Sequence, residues 1–314
     1  MNFARIAIVG AGLIGSSIAR AVIASGMKAE VRLFDASADV RARAARLGIG
    51  AVAATAEEAV RDADLVILAT PVGAMAAATA GFADALADGV VLTDVGSTKR
   101  AVVDALAKIT PERAYFIAGH PIAGTEQSGP EAGFASLFEN RWTILTPQDD
   151  PRPGYADALA QLSVFWTALG ARVEIMDPDR HDLVLAITSH VPHLIAFNIV
   201  ATAEDLETVT ESEIVKYSAG GFRDFTRLAA SDPVMWRDVF LANKDAVLEI
   251  LGRFTEDLAA LQRAIRWGDG DALHDIFARA RRVRREVIEA GQDTPAPNWG
   301  RDQSGADQGG EDKS

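Results

Sequence analysis

From residue 5 to residue 175, short apolar runs alternate with stretches of helical spacing. Residues 6–9, 31–34, 65–69 and 90–94 are runs four or five residues long, bounded by turn formers, which suits strands. Residues 13–25 and 38–47 have helical spacing and stop at Gly26 and Gly48, natural C-caps. Residues 116–118 and 143–146 read as further short strands. A loop at 148–154, a helix at 155–169 and a strand at 172–175 close this half. Strands alternating with helices imply βαβ units and a parallel sheet. A continuous apolar strand such as Leu-Val-Ile-Leu-Ala fits a sheet covered on both faces. After Met176 strand-like runs cease, and amphipathic helical stretches at 178–203, 208–217, 232–265 and 269–290 dominate. Trp142, Trp166, Met235 and Trp236 read as core. Trp267, Gly268 and Gly270 mark a turn between the last two helices. The segment 291–314, rich in Gly, Pro and Asp, reads as a disordered tail. The predicted organisation is therefore 1–176, 177–290 and the tail: α/β, a doubly wound parallel sheet followed by an all-helical domain. Long helices with no sheet to cover suggest packing against a second copy, a homodimer.

Composition narrows the chemistry. The 314 residues are 49% hydrophobic and 24% charged, the balance of a globular chain rather than a disordered one. There is no cysteine, which excludes disulfides, a thiolate nucleophile and thiolate metal sites. With 31 Lys+Arg against 44 Asp+Glu, the net charge is −13, so nucleic acid is not an expected partner. No uninterrupted apolar run reaches the roughly 20 residues needed to cross a bilayer. The first residues, MNFARIAIVGAG, lack the basic start and cleavage site of a signal peptide. No membrane association and a cytoplasmic location are expected.

Gly10-Ala11-Gly12-Leu13-Ile14-Gly15 is a GxGxxG that follows a strand and opens a helix. In that context Gly10 allows the tight turn, Gly12 lets backbone approach a pyrophosphate, and Gly15 permits close helix–strand packing. The start of the helix, Leu13 and Ile14, offers free N–H groups and a positive dipole end to the anion. Asp35 ends the second strand, 20 residues beyond Gly15. A carboxylate there accepts adenosine ribose hydroxyls and repels a 2′-phosphate, which favours NAD over NADP. The sheet is thus expected to be of the Rossmann type. Thr70, Pro71 and Val72, at the end of the apolar strand, are candidates for a second cofactor contact.

The loop Gly119-His120-Pro121-Ile122-Ala123-Gly124-Thr125-Glu126-Gln127-Ser128-Gly129 carries a histidine where such a sheet meets its ligand. A neutral imidazole there can take a hydroxyl proton as hydride leaves the same carbon. A structural histidine is the competing reading. This run resembles the signature of the prephenate/arogenate (cyclohexadienyl) dehydrogenases of tyrosine biosynthesis. Four more segments resemble the same family in order: Asp94–Lys99 (DVGSTK), Ser189–His193 (SHVPH), Gly220–Arg227 (GGFRDFTR) and Ser231–Trp236 (SDPVMW).

The resemblance implies NAD-dependent oxidative decarboxylation of prephenate, arogenate or both. Hydride leaves ring C4, the C4 hydroxyl loses its proton, and CO2 departs as the ring becomes aromatic. His120 would accept the proton. Ser97 would hydrogen-bond His120 or the same hydroxyl, or cap the helix that begins near Thr98. Arg227 suits a substrate carboxylate. His193 would contact the substrate side chain, with His190 structural. Glu126 would belong to an ionic network that shapes the site, and Asp224 would pair with a cation. Thr125 and Gly220, inside the same motifs, complete the candidate substrate contacts. Lys99 reads best as an exposed lysine at a helix start. His190 and His193, three residues apart, lack a carboxylate pattern beside them, so no metal is expected.

Two rivals remain. Rossmann domains followed by helical domains also serve 3-hydroxyacid dehydrogenases and pyrroline-carboxylate reductases. The hydroxyacid enzymes rely on a lysine in the helical domain, whereas here His120 and the 220–227 segment carry the pattern. A non-catalytic NAD-binding regulator would show a damaged set, yet His120, Ser97 and Arg227 are all present.

Overall fold

The computed structural model describes residues 3–125, 127–210 and 220–289. Six parallel strands form the main sheet: β1 (Arg5–Val9), β2 (Glu30–Phe34), β3 (Ala51–Val52), β4 (Leu65–Leu68), β5 (Val91–Asp94) and β6 (Tyr115–Phe116). Their order is β3-β2-β1-β4-β5-β6. The crossovers are α1 (Leu13–Ala24), α2 (Ala38–Leu47), α3 (Ala56–Val60), α4 (Val72–Phe82) and α5 (Arg100–Leu106). Both faces are covered, as the unbroken apolar strands require. Ile6 and Ile8 of β1 join one core with Ile18, Leu33, Leu65 and Ile67. Ala7 and Val9, pointing the other way, join a second core with Val66, Leu68, Met75 and Leu92. Gly48 closes α2 at φ 62° in the left-handed region, and Ser37 caps its start.

One sheet was expected across this half; there are two. β7 (Ala118–Pro121), β8 (Trp142–Thr146) and β9 (Arg172–Ile175) form a separate sheet, with β7 antiparallel to β8 and β8 parallel to β9. α6 (Tyr155–Ala168) lies between β8 and β9 in the chain. The expected strand at 116–118 is split because Gly119 is drawn to the end of β5. Its N–H donates to Asp94 Oδ1 (3.2 Å) and its carbonyl accepts from Lys99 Nζ (2.6 Å). Trp166 is fully buried, whereas Trp142 is half-buried with the Arg172 guanidinium over its ring at 5.9 Å.

After β9 the chain is helical, as its spacing predicts. α7 (Pro178–Leu185) and α8 (Val191–Thr210) are joined by a wide π turn at Ala186–His190, where the Val191 N–H donates to the Ala186 carbonyl. That turn holds one residue more than an α-turn. Asp182 and His190, eight positions apart, would lie about 80° apart around an ideal helix; absorbing one residue brings them to within about 20°. Within Pro178–Leu206 an 18-residue window has mean hydropathy 1.7, which makes this helical stretch long and apolar enough to cross a membrane by length and composition. The same stretch buries His181, Asp182 and His190 inside the protein, which a lipid-facing span would not do.

The helix expected at 208–217 falls mostly outside the described residues. Further helices are Gly220–Thr226, Pro233–Ala242, Lys244–Trp267 and Gly270–Glu289. The single helix expected over 232–265 is thus two, broken at Asn243. That residue is buried, and its side chain is used elsewhere, as described below. Met235 is exposed (41%) rather than core, while Trp236 is buried. Gly268, at φ 69°, makes the last turn. By compactness the chain divides at Ile250 and Leu251. The change of character expected at 176 coincides with the end of β9 at Ile175. The tail expected at 291–314 lies outside the described residues.

Candidate active site

At the end of β1 the glycine turn is built as its spacing predicts. Gly10 adopts φ 107°, and a side chain there would overlap the Ala69 carbonyl. A side chain at Gly15 would overlap the Gly10 carbonyl. Gly12 differs: a Cβ there would meet nothing within 4 Å, so the space beside it is open to a ligand. No side chain caps the start of α1, leaving the N–H groups around Leu13 and Ile14 to an anion. Asp35 stiffens the turn by accepting from Ala11 N and Ser37 N, both at 2.9 Å. Its carboxylate retains lone pairs for ribose hydroxyls. Thr70 Oγ1 is buried without a hydrogen-bond partner in the protein, and Pro71 then caps α4 ahead of Val72. An orphaned hydroxyl and an open cradle at a helix start fit a bound dinucleotide.

His120, on β7, lies in a buried polar cluster drawn from distant segments. Its Nδ1 is 2.9 Å from His181 Nε2, and His181 Nδ1 is 2.8 Å from Asp182 Oδ1. Asp182 also accepts from the backbone N–H groups of Lys99 (2.7 Å) and Arg100 (2.9 Å), capping α5 from another helix. The orienting contact expected from Ser97 is therefore made by His181, because α7 brings an imidazole against the His120 ring. Ser97 is half-buried in the loop after β5, and it is Asp182 that caps α5.

Lys99 corrects the expectation most sharply. It is fully buried, not exposed, and its ammonium pairs with Asp94 and donates to the Gly119 carbonyl. Burial pushes its pKa down while Asp94 pulls it back up. Asp94 in turn accepts from Gly96 N (2.8 Å). This pair fixes the backbone on the N-terminal side of His120. Although the His120 ring keeps some exposure, the protein packed around it pushes its pKa well below 6.5. The Lys99 ammonium pushes in the same direction, as would a proton on His181 or His190. The imidazole is neutral at neutral pH.

His190 is buried, and burial lowers its pKa to about 4. Its Nδ1 faces Asn243 Nδ2 at 3.0 Å, and the same amide donates to the Asp182 carbonyl at 2.9 Å. The Ser97 backbone favours a proton on the ring, but no well-formed hydrogen bond closes at Nε2. His193 donates through Nδ1 to the Ser189 carbonyl (2.8 Å) and stacks on Trp236 with ring centroids 3.8 Å apart. Burial lowers its pKa, and the charge of Arg227 lowers it further, so these two candidates are brought together. Trp236 Nε1 is buried without a partner beside them.

Other expected residues lie further from the cluster. Asp224 is exposed and bonds its neighbour Arg223 (3.2 Å), and Gly220 begins the same short helix. Thr125 makes a local turn, accepting from Gln127 N at 3.2 Å. Glu126 lies outside the described residues. Among the described residues no group of three or more His, Asp or Glu side chains is arranged to hold a metal. His181, Asp182 and Asn243 were missed by the sequence reading. The signal available was the adjacent His-Asp pair after an Asp-Pro helix start.

A dinucleotide cradle at the end of β1 and a neutral imidazole on β7 define a dehydrogenase. The family described as "Prephenate dehydrogenase, nucleotide-binding domain" matches residues 18–175, and "Prephenate dehydrogenase, dimerization domain" matches residues 177–279. The chain belongs to the prephenate dehydrogenase family. The cyclohexadienyl dehydrogenase of Zymomonas mobilis is 44% identical over 283 residues, 90% of this chain and 95% of that protein. The prephenate dehydrogenase of Bacillus subtilis is 34% identical over 281 residues, 89% of this chain and 75% of that protein. Among solved structures, Aquifex aeolicus prephenate dehydrogenase with hydroxyphenyl propionate and NAD+ superposes with a TM-score of 0.84. It is 34% identical and covers 91% of this chain and 99% of its own.

Proposed function

We propose that this chain oxidatively decarboxylates prephenate, arogenate or both, with NAD as the hydride acceptor and His120 as the base. The observation that carries the reading is an imidazole kept neutral by burial beside the Lys99 ammonium, in the same unit as an open dinucleotide cradle. Gly10, Gly12, Leu13, Ile14 and Gly15 would hold the pyrophosphate, Asp35 the adenosine ribose, and Thr70, Pro71 and Val72 the far half of the dinucleotide. NAD, when bound, supplies the acceptor for the C4 hydride.

His120 takes the C4 hydroxyl proton and returns it to the phenolate oxygen left when CO2 departs, so no net proton is consumed. Ser97 hydrogen-bonds the same hydroxyl. Arg227 pairs with a carboxylate, and His193, fixed by Ser189 and Trp236, offers Nε2 to the side chain. Thr125, Glu126, Gly220 and Asp224 line or shape the approach. Residues 1–176 thus serve the cofactor, and 177–290 serve the substrate and a homodimer. Support for the dimer is the apolar surface left open: Ile187, Ile199 and Leu206 in one unit, Phe277, Val283 and Ile288 in the other. A cytoplasmic location belongs to the same reading.

The test is NADH formation with prephenate and arogenate in separate cuvettes. Turnover on either supports the proposal, and the ratio names the preferred substrate. Intact NAD binding with no turnover on either would overturn it in favour of a 3-hydroxyacid substrate.

A further inference from the structure

We infer that His181 and Asp182 are positioning residues that lock His120 in the one tautomer able to take a proton from substrate. The inference rests on His120 being the base, and its argument is one of hydrogen-bond polarity. The Asp182 carboxylate accepts two backbone N–H groups, from Lys99 and Arg100, and has only acceptor capacity to offer. His181 Nδ1, 2.8 Å from Oδ1, must therefore donate. Burial lowers the His181 pKa, so its ring is neutral and carries that one proton only. Its Nε2 is then a lone pair, and it faces His120 Nδ1 at 2.9 Å. Two lone pairs do not meet at that distance, so His120 donates through Nδ1. The single proton of the neutral ring is thereby committed, and Nε2 is left as an acceptor.

The alternative tautomer would place a proton on Nε2, where the substrate hydroxyl must deliver its own. It would also set two lone pairs against each other at Nδ1. The carboxylate thus dictates the state of the outer ring through the inner one. The same line steadies the imidazolium once it forms. The ring cation lies near the Lys99 ammonium, which opposes it. Its Nδ1–H points along a chain of acceptors that ends on Asp182. The order of the three groups follows the logic by which a carboxylate fixes the tautomer of a catalytic imidazole, with one imidazole interposed. His181 is itself fully buried, with both ring nitrogens engaged within the protein, so its part is to orient the base.

The experiment begins with the full-length wild-type protein labelled with 15N at histidine. Two-bond nitrogen–proton correlations report which ring nitrogen is protonated. Protonation of His120 at Nδ1 is expected; a proton on Nε2 in the resting enzyme overturns the inference whatever any variant does. The second arm is kinetic. His181→Leu, which removes the acceptor, is expected to lower kcat on the order of 30-fold while the KM values for substrate and NAD stay within about threefold. His181→Gln, whose amide oxygen can accept from Nδ1, is expected to recover most of that loss. Equal kcat in the two variants, or an unchanged kcat in His181→Leu, overturns the inference. If His181→Leu does not fold, the wild-type spectrum and His181→Gln decide. Failure of the base assignment reads differently: His120→Asn would then keep its kcat, whereas failure of the positioning role leaves His120→Asn inactive and His181→Leu active.

Discussion

At the glycine turn, the residues that matter lie between 10 and 35, and most of the work is done by backbone. Around His120, the same unit assembles side chains from β5, the start of α5, β7, α7, the π turn and Asn243. Lys99 meets Asp182 across 83 positions of sequence, and His120 meets His181 across 61. The first site needs little beyond room for backbone to bend and to approach a ligand. The second needs every buried polar group to find its partner at once, because an unpartnered charge in that interior is heavily penalised. One site should therefore tolerate change in stability and fail in affinity, and the other should fail in stability and in rate.

The largest expected effect tests the second half of that contrast. Lys99→Met would leave the Asp94 carboxylate buried with backbone N–H donors but no counter-charge, and should destabilise the protein by about 3–5 kcal/mol in urea unfolding. A loss below 1 kcal/mol would break the comparison. Acid comes next. His190 has a folded-state pKa of about 4 against an ordinary 6.5, so between those values the unfolded chain binds more protons. Stability is complete above pH 6.5 and is lost as pH falls toward 4, by about 3 kcal/mol from this group. Urea midpoints measured across that window check the sign, and a midpoint that rises on acidification contradicts it.

His120→Asn should cut kcat about 100-fold or more and leave the NAD dissociation constant unchanged, separating the two sites functionally. The smallest effect sharpens the first half. Gly12→Ala adds a methyl group that touches nothing in the protein, yet it enters the open cradle. The melting temperature should stay put while NAD affinity falls about tenfold, a loss of about 1.4 kcal/mol of binding. Unchanged affinity measured by calorimetry would show that the cradle is not where the dinucleotide lies.

The same contrast explains what the sequence disclosed. The strands, α2 with its Gly48 cap, and the glycine turn are local, and periodicity and φ requirements declare them within a few residues. His120 was legible through its surroundings, a glycine-rich loop after a strand. Lys99 was not, because a lysine one position before a helix looks solvated until its carboxylate partner is known, and Asp94 sits at the end of a strand instead of on the same helix. Nor was His181, which stands in the polar first turn of α7, where a solvent-facing residue is the ordinary expectation. The separate β7–β8–β9 sheet was hidden for a related reason. The pull on Gly119 comes from Asp94 and Lys99, and no pattern within 116–121 announces it.

The π turn at Ala186–His190 carries a consequence for how this segment can vary. Regularising that turn with every residue kept would restore ordinary helical hydrogen bonding from Pro178 to Thr210. It would also swing Asp182 about 80° out of line with His190, so that Asn243 could no longer bridge them. The irregular turn works as a spacer that sets two clock faces to the same hour. Removing one residue there would smooth the backbone and still leave the two within about 20°, so this stretch should tolerate a one-residue deletion better than a straightened helix of unchanged length.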